Sequence, residues 1–224
     1  MTVLSVIADA CTVLGLDVPD AVMASTTREH VELKALANTM AKRIAKTHEW
    51  QLLKTIATYT GDGSTEDFSF PADYDRMLKK TRVWSSSIEQ PLSHVPDSDT
   101  WLGLDVQSVD LVFGAWTLYG GQIHIKTALA SGVTAKHWYM SNLIVAPASG
   151  ANKAAFTLDT DTFRLDEELL KLGMIWQWKA SKGLAYAEEM ATYEDLLSKL
   201  ADADKGSRQI VVGPRRLSRN VAQA

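Results

Sequence analysis

Apolar residues keep a helical period at both ends of this chain and a strand period in its middle, and that order limits the folds open to it. Between Val3 and Leu16, the residues Val3, Ile7, Ala10, Cys11 and Leu14 share one helix face, and Gly15 and Pro19 end the run. Thr26 and Glu29 have the spacing of a capping box, in which hydroxyl and carboxylate each reach the other's backbone N–H. The helix that follows carries Leu33, Leu36, Ala37, Met40 and Ile44 on one stripe and ends near Trp50. Alternation then takes over. Leu53 to Thr60 and Phe68 to Phe70 flank Gly61-Asp62-Gly63, which predicts a hairpin, and Pro71 to Arg76 reads as a turn or a single helical turn. Lys80–Ser85, Leu92–Val95 and Lys136–Val145 read as strands, and Asp97–Leu104 as a brief helix. Trp116–Tyr119, Gly120-Gly121 and Gln122–Lys126 form the clearest hairpin signal in the chain.

Helical spacing returns at Asp166. Leu169, Leu172, Ile175 and Trp176 make one face, Lys182-Gly183-Leu184 interrupts the run, and Met190, Tyr193, Leu197 and Leu200 make a second stripe. The expectation is an α+β protein. Residues 1–51 and 163–204 build a helical bundle, residues 52–162 form a β-rich insertion, and residues 205–224 form an extended basic tail.

The tail differs chemically from everything before it. It holds Lys205, Arg208, Arg215, Arg216 and Arg219 with no Asp or Glu, while the body carries 18 basic against 27 acidic residues. Its one apolar plug is Ile210-Val211-Val212. That is too little apolar surface to offset the entropy of ordering the segment alone. Such a strap contacts nucleic-acid phosphate, docks on an acidic protein partner, or keeps a disordered end soluble. A β-branched triplet between arginines suits strand addition to a partner's sheet edge, and a purely phosphate-binding tail would not need it.

Enzyme signatures are missing. The five histidines, His30, His48, His94, His124 and His137, do not pair at metal-ligand spacing, and His48-Glu49 has no second histidine four positions on. Gly61-Asp62-Gly63 joins strand-like runs and does not open a helix. Glu167-Glu168 and Glu188-Glu189 are adjacent on helices, so each pair diverges by about 100° and would not share a substrate. Cys11, the single cysteine, lies on an apolar helix face and reads as a packing thiol. No cofactor, metal or catalytic residue is expected, and a hydrolase would need a site dispersed along the sequence. No apolar run is long enough to span a membrane, and the first basic residue is Arg28, against a secretory signal. An acidic body also argues against nucleic-acid binding outside the tail.

Trp176 and Trp178 sit two apart on one helix and so face about 200° apart. Either one is core and one half-exposed, or the helix is sandwiched within the chain or between copies, with Tyr186 nearby in sequence.

The stretches Leu172–Lys179, Lys182–Met190, Tyr193-Glu194 and Lys205–Ile210 together resemble the C-terminal region of tailed-phage head–tail adaptor proteins. Pro71–Met77 followed by Val83-Trp84, and Ala41–Ile44 through Trp50–Leu52, are similar to other segments of the same connector or tail tubular A-type proteins. The resemblance covers about residues 3–212. It implies a virion neck protein, assembled in the host cytoplasm, that forms a ring, typically of twelve copies, beneath the portal protein. Its opposite face would receive a stopper, nozzle or other tail-side protein, and genomic DNA would pass through the lumen without specific binding. Docking to the portal would fall to Arg208, Ile210, Val211, Val212, Arg215, Arg216 and Arg219, and subunit packing to Trp176, Trp178 and Tyr186. The alternative is a nucleic-acid-binding accessory protein that uses the basic tail.

Overall fold

A computed structural model describes residues 1–107, 111 and 113–205. Helix α1 (Val3–Leu14) and α2 (Arg28–Thr47) come first, then a single 3-10 turn, Gln51–Leu53. Strands follow: β1 (Lys54–Thr60), β2 (Asp67–Ser69), β3 (Tyr74–Met77), β4 (Trp84–Ser85) and β5 (Ser93–His94). Helix α3 (Ser98–Val106) precedes β6 (Ala115–Tyr119), β7 (Gln122–Lys126), β8 (Thr134–Ser141), β9 (Val145–Ala146) and β10 (Thr162–Phe163). Helices α4 (Glu167–Ser181) and α5 (Ala187–Asp204) close the described chain. The α+β order of terminal helices around a central β region is therefore present.

Helix ends follow local chemistry. The Thr2 hydroxyl caps α1 by accepting from Ser5 N at 3.3 Å, and Gly15, at φ +69°, supplies the left-handed residue that stops it. Asp166 caps α4 by accepting from Leu169 N at 2.7 Å. The Thr26–Glu29 box does not form: α2 begins at Arg28, Thr27 stands at its cap without a side-chain bond, and Thr27 N donates instead to Ser25 Oγ at 3.3 Å.

α4 is the centre of the helical part, packed against α1, α2 and α5. Its Leu169, Leu170 and Met174 are buried with Ile7, Leu33, Met40 and Ile44. Burying one such side chain stabilises by about 1.5–3 kcal/mol. Gly173 sets the spacing: a Cβ there would lie 2.7 Å from Met40 Cε and 3.3 Å from the Tyr193 ring.

Two four-stranded sheets make the β region, one ordered β1-β8-β3 with β4 also on β8, the other β2-β7-β6-β5. Ala57, Tyr59, Ala135 and Tyr139 of the first sheet pack with Trp116, Ile123 and Ile125 of the second in one buried cluster. The first sheet also ties the two parts together, because Met140, at the far end of β8, lies in the helical core with Ile144 and Val145.

Several strand expectations are corrected. The Gly61-Asp62-Gly63 segment does not close a hairpin. β1 pairs with β8, and β2 pairs with β7 in the other sheet. Asp62 instead gathers its own loop, accepting from Ser64 N at 2.8 Å and Thr65 N at 2.7 Å. Gly61 is pressed so close to the 129–130 backbone that a Cβ would sit 2.2 Å from the Leu129 carbonyl. Residues 74–76, expected within a turn or single helical turn, belong to strand β3, which pairs with β8 across a register shift. The strand expected over Lys80–Ser85 shrinks to Trp84–Ser85, since Lys80 takes a positive φ of 62°. The Lys136–Val145 strand divides at Asn142, whose N–H donates to the Asp73 carbonyl at 2.8 Å and turns the chain away. The Gly120-Gly121 hairpin is present, with φ of +60° and +76°, as a two-residue primed turn requires.

Candidate interaction surfaces

The chain leaves the described residues at a defined place. Asp204 Oδ2 at the end of α5 accepts from Gln51 N at 2.9 Å, and His48 Nε2 lies 3.5 Å from the same oxygen. Lys205 shares the adjoining recess with Lys46, Arg76 and Lys79. Arg208, Ile210, Val211, Val212, Arg215, Arg216 and Arg219 lie outside the described residues.

The two tryptophans of α4 divide as their spacing demands. Trp178 is buried in the helical core, while Trp176 is half-buried on the side of α5. Trp176 lies 6.0 Å from Tyr193 and 6.4 Å from Tyr186, ring to ring. The Arg43 guanidinium stands 5.5 Å from its centroid. Tyr186 immediately precedes α5 and is exposed. All three rings thus take part in contacts within one chain. The indole nitrogen of Trp176 and the Tyr193 hydroxyl are buried with no hydrogen-bond partner among the described residues. Beside them, α2 and α4 form a groove rimmed by Arg43–Gln177 at 2.8 Å and Lys182–Glu32 at 2.7 Å, with Leu36 and Trp178 in its walls.

A further surface escaped the sequence reading. Register puts Ile56 directly opposite Trp138, and Trp84 opposite Lys136 on the other flank of β8. Opposed residues share a face. Ile56 and Trp138 are each 47% exposed and Trp84 is 51% exposed, so this face carries three large apolar groups in water. The letters of β8 hold the signal, since Lys136 and Trp138 alternate with buried Ala135, His137 and Tyr139.

Two histidines are drawn into the fold. His137 is buried, its Nδ1–H donates to the Trp138 carbonyl at 3.2 Å, and its Nε2 accepts from the Tyr59 hydroxyl at 3.1 Å. Burial pushes its pKa below the ordinary value, with the carbonyl contact pulling weakly the other way. His48 shifts the same way, through burial and then the Lys205 charge. A histidine kept neutral in the fold protonates more readily when unfolded. Its effect is absent above the unfolded value, about 6.5, and lowers stability as pH falls below it. The melting temperature should therefore drop between pH 7 and pH 5, and His137→Gln should flatten that slope. An unchanged slope in thermal melts across this range would refute the assignment. Burial likewise raises the Cys11 thiol. Among the described residues no cluster of His, Cys, Asp or Glu is arranged to hold a metal ion, and no helix is long and apolar enough to cross a membrane.

A family model described as SU10 adaptor protein matches residues 1–217. A comparison with curated proteins finds no match.

Proposed function

The chain belongs to the SU10 adaptor protein family, a family of phage adaptors, and on that premise we propose that it is the structural head–tail adaptor of a virion neck. Its copies form a ring below the portal protein, and the C-terminal tail docks there. The helical part, residues 1–51 and 163–204, supplies the ring wall. The β-rich part, residues 52–162, offers the attachment surface for a stopper, nozzle or other tail-side protein. Genomic DNA passes through the lumen unbound, as suits a body with 18 basic against 27 acidic residues, because negative walls repel phosphate.

The observation that carries this reading is a family match running into a tail whose charge opposes that of its own body. Nineteen residues follow Lys205. Extended, they reach about 60 Å, enough to leave the subunit and lie on a neighbour. Arg208, Arg215, Arg216 and Arg219 then fix register on acidic groups of the portal, and Ile210-Val211-Val212 adds to a sheet edge or apolar groove. Trp176 and Tyr186 hold α4 and α5 together so that the tail leaves from a fixed point, while Trp178 packs in the helical core.

The test is mass measurement of the protein alone and after mixing with portal rings. A jump from the free species to a portal-bound, ring-stoichiometric complex is expected. Free protein that never associates with the portal would overturn the proposal.

A further inference from the structure

The outward face of the first sheet needs a cover, and its chemistry narrows the choice. We propose that it seats helix α5 of a second copy of this chain, so that subunits join sheet-to-helix around the ring. This rests on the ring reading above, and the experiment separates the two.

Three observations carry it. The first is the apolar patch. Ile56 lies opposite Trp138, and Trp84 lies opposite Lys136 on the same face two residues along β8, each of the three about half exposed. Two half-exposed tryptophans on one sheet face suit an interface better than an ordinary surface. The second is charge. Lys136 lies on the same face, and exposed Arg82 lies two residues before Trp84. No carboxylate lies among the outward residues of β1, β4 and β8. The face therefore repels the chain's own arginine-rich tail and suits an acidic occupant.

The third observation is α5 itself. Tyr193 is its one fully buried side chain. At 100° per residue, the side turned away from Tyr193 presents Glu188, Ala191, Asp195, Ser198 and Asp202, with Glu194 at its border. Asp195 pairs with Lys199 at 2.5 Å, whereas Glu188, Glu194 and Asp202 have no ion-pair partner among the described residues. Ala191 and Ser198 are small enough to leave room for indole rings between the acidic groups. The lengths also agree: a helix of 18 residues and a strand of 8 each span about 27 Å.

The two surfaces are different patches of one chain. Such a contact is heterologous, and repeated about an axis it closes a ring, whereas a self-complementary patch stops at a dimer.

Lys136→Cys combined with Ser198→Cys tests the contact on the full chain mixed with portal rings, because the native Cys11 is fully buried and stays silent. Mild oxidation should give a disulfide-linked ladder up to ring size from the double variant and none from either single one. In parallel, Arg82→Glu with Lys136→Glu should lower ring yield about tenfold, and adding Glu194→Lys with Asp202→Lys should restore it. Rings that show neither ladder nor charge effect would overturn the contact and leave the ring standing. Dimers from Lys136→Cys alone would show sheet faces meeting each other and overturn it too. A protein that forms no ring in any version would sink both this contact and the ring.

Discussion

Deleting residues 206–224 should reduce portal attachment by more than about a hundredfold and leave the melting temperature unchanged. The asymmetry follows from where the stabilising contacts are. Among the described residues, both apolar cores, one among the helices and one between the sheets, are built from residues up to Leu200. The tail adds Ile210, Val211 and Val212 and four arginines beyond Lys205. In the proposed docking, each tail alone would offer a modest contact, a few charge-assisted hydrogen bonds and one apolar triplet. In the proposed ring the tails would bind together, and the first to dock would raise the effective concentration for the rest. Removing all of them therefore costs far more than one tail's affinity. Arg208→Glu with Arg215→Glu and Arg216→Glu should reproduce most of the loss, and Val211→Asp should weaken binding with a smaller salt dependence. Co-sedimentation with purified portal rings, at two salt concentrations, reads all three. Truncated protein that still sediments with the portal but no longer retains DNA would instead favour the nucleic-acid reading. In that case DNA binding by the full chain would fall steeply with salt.

Local chemistry made the helices and one hairpin legible. Gly15 and Asp166 bound helices where their side chains or backbone freedom demand it, and Gly183, at φ +70°, separates α4 from α5. Gly120-Gly121 allows hardly anything but a tight primed turn. The sheets were less legible because their pairings are long-range. Gly61-Asp62-Gly63 has the composition of a hairpin turn, yet the partner of β1 is β8, which begins at Thr134. Nothing near residue 61 encodes that choice. The same gap hid the exposed face. Trp116 and Trp138 both sit in alternating runs, but one is buried between the sheets and the other faces water. Which side of a strand is outside depends on what the sheet packs against. The tail was readable as charge and composition, which indicate the chemistry of a partner but not where on that partner the tail lies.

Asp161→Ala should cost about 3 kcal/mol. The carboxylate is completely buried. Lys153 Nζ donates to both its oxygens at 2.7 Å. Thr157 N and Leu158 N donate to Oδ2 at 2.8 and 2.9 Å. Truncation leaves these backbone donors facing a void, at about 1–3 kcal/mol for each unsatisfied group. Lys153 recovers part of the cost, since its side chain is 27% exposed and can swing toward water. That relief is why the figure sits at the low end of the 3–5 kcal/mol typical of a broken buried pair. The damage should spread to the N-terminus. Val3 N donates to the Asp161 carbonyl at 2.7 Å, and Asp159, two residues earlier, accepts from Val22 N and Met23 N at 3.0 Å each. Amide exchange should therefore quicken in α1 before it does in α4. Acid supplies an internal control. Burial pushes the Asp161 carboxyl up, but Lys153 and the two backbone donors outweigh it and hold the group below its ordinary range. A carboxylate depressed in the fold stabilises fully above its unfolded value, about 3.9, and that contribution disappears as pH falls through the native one. The gap between wild type and Asp161→Ala should accordingly be constant from pH 5 to 7 and begin to close below about pH 4. Denaturant titrations at those pH values decide the matter. A neutral-pH loss under about 1 kcal/mol, or a gap that widens in acid, would mean the buried carboxylate is not what pins this loop to α1.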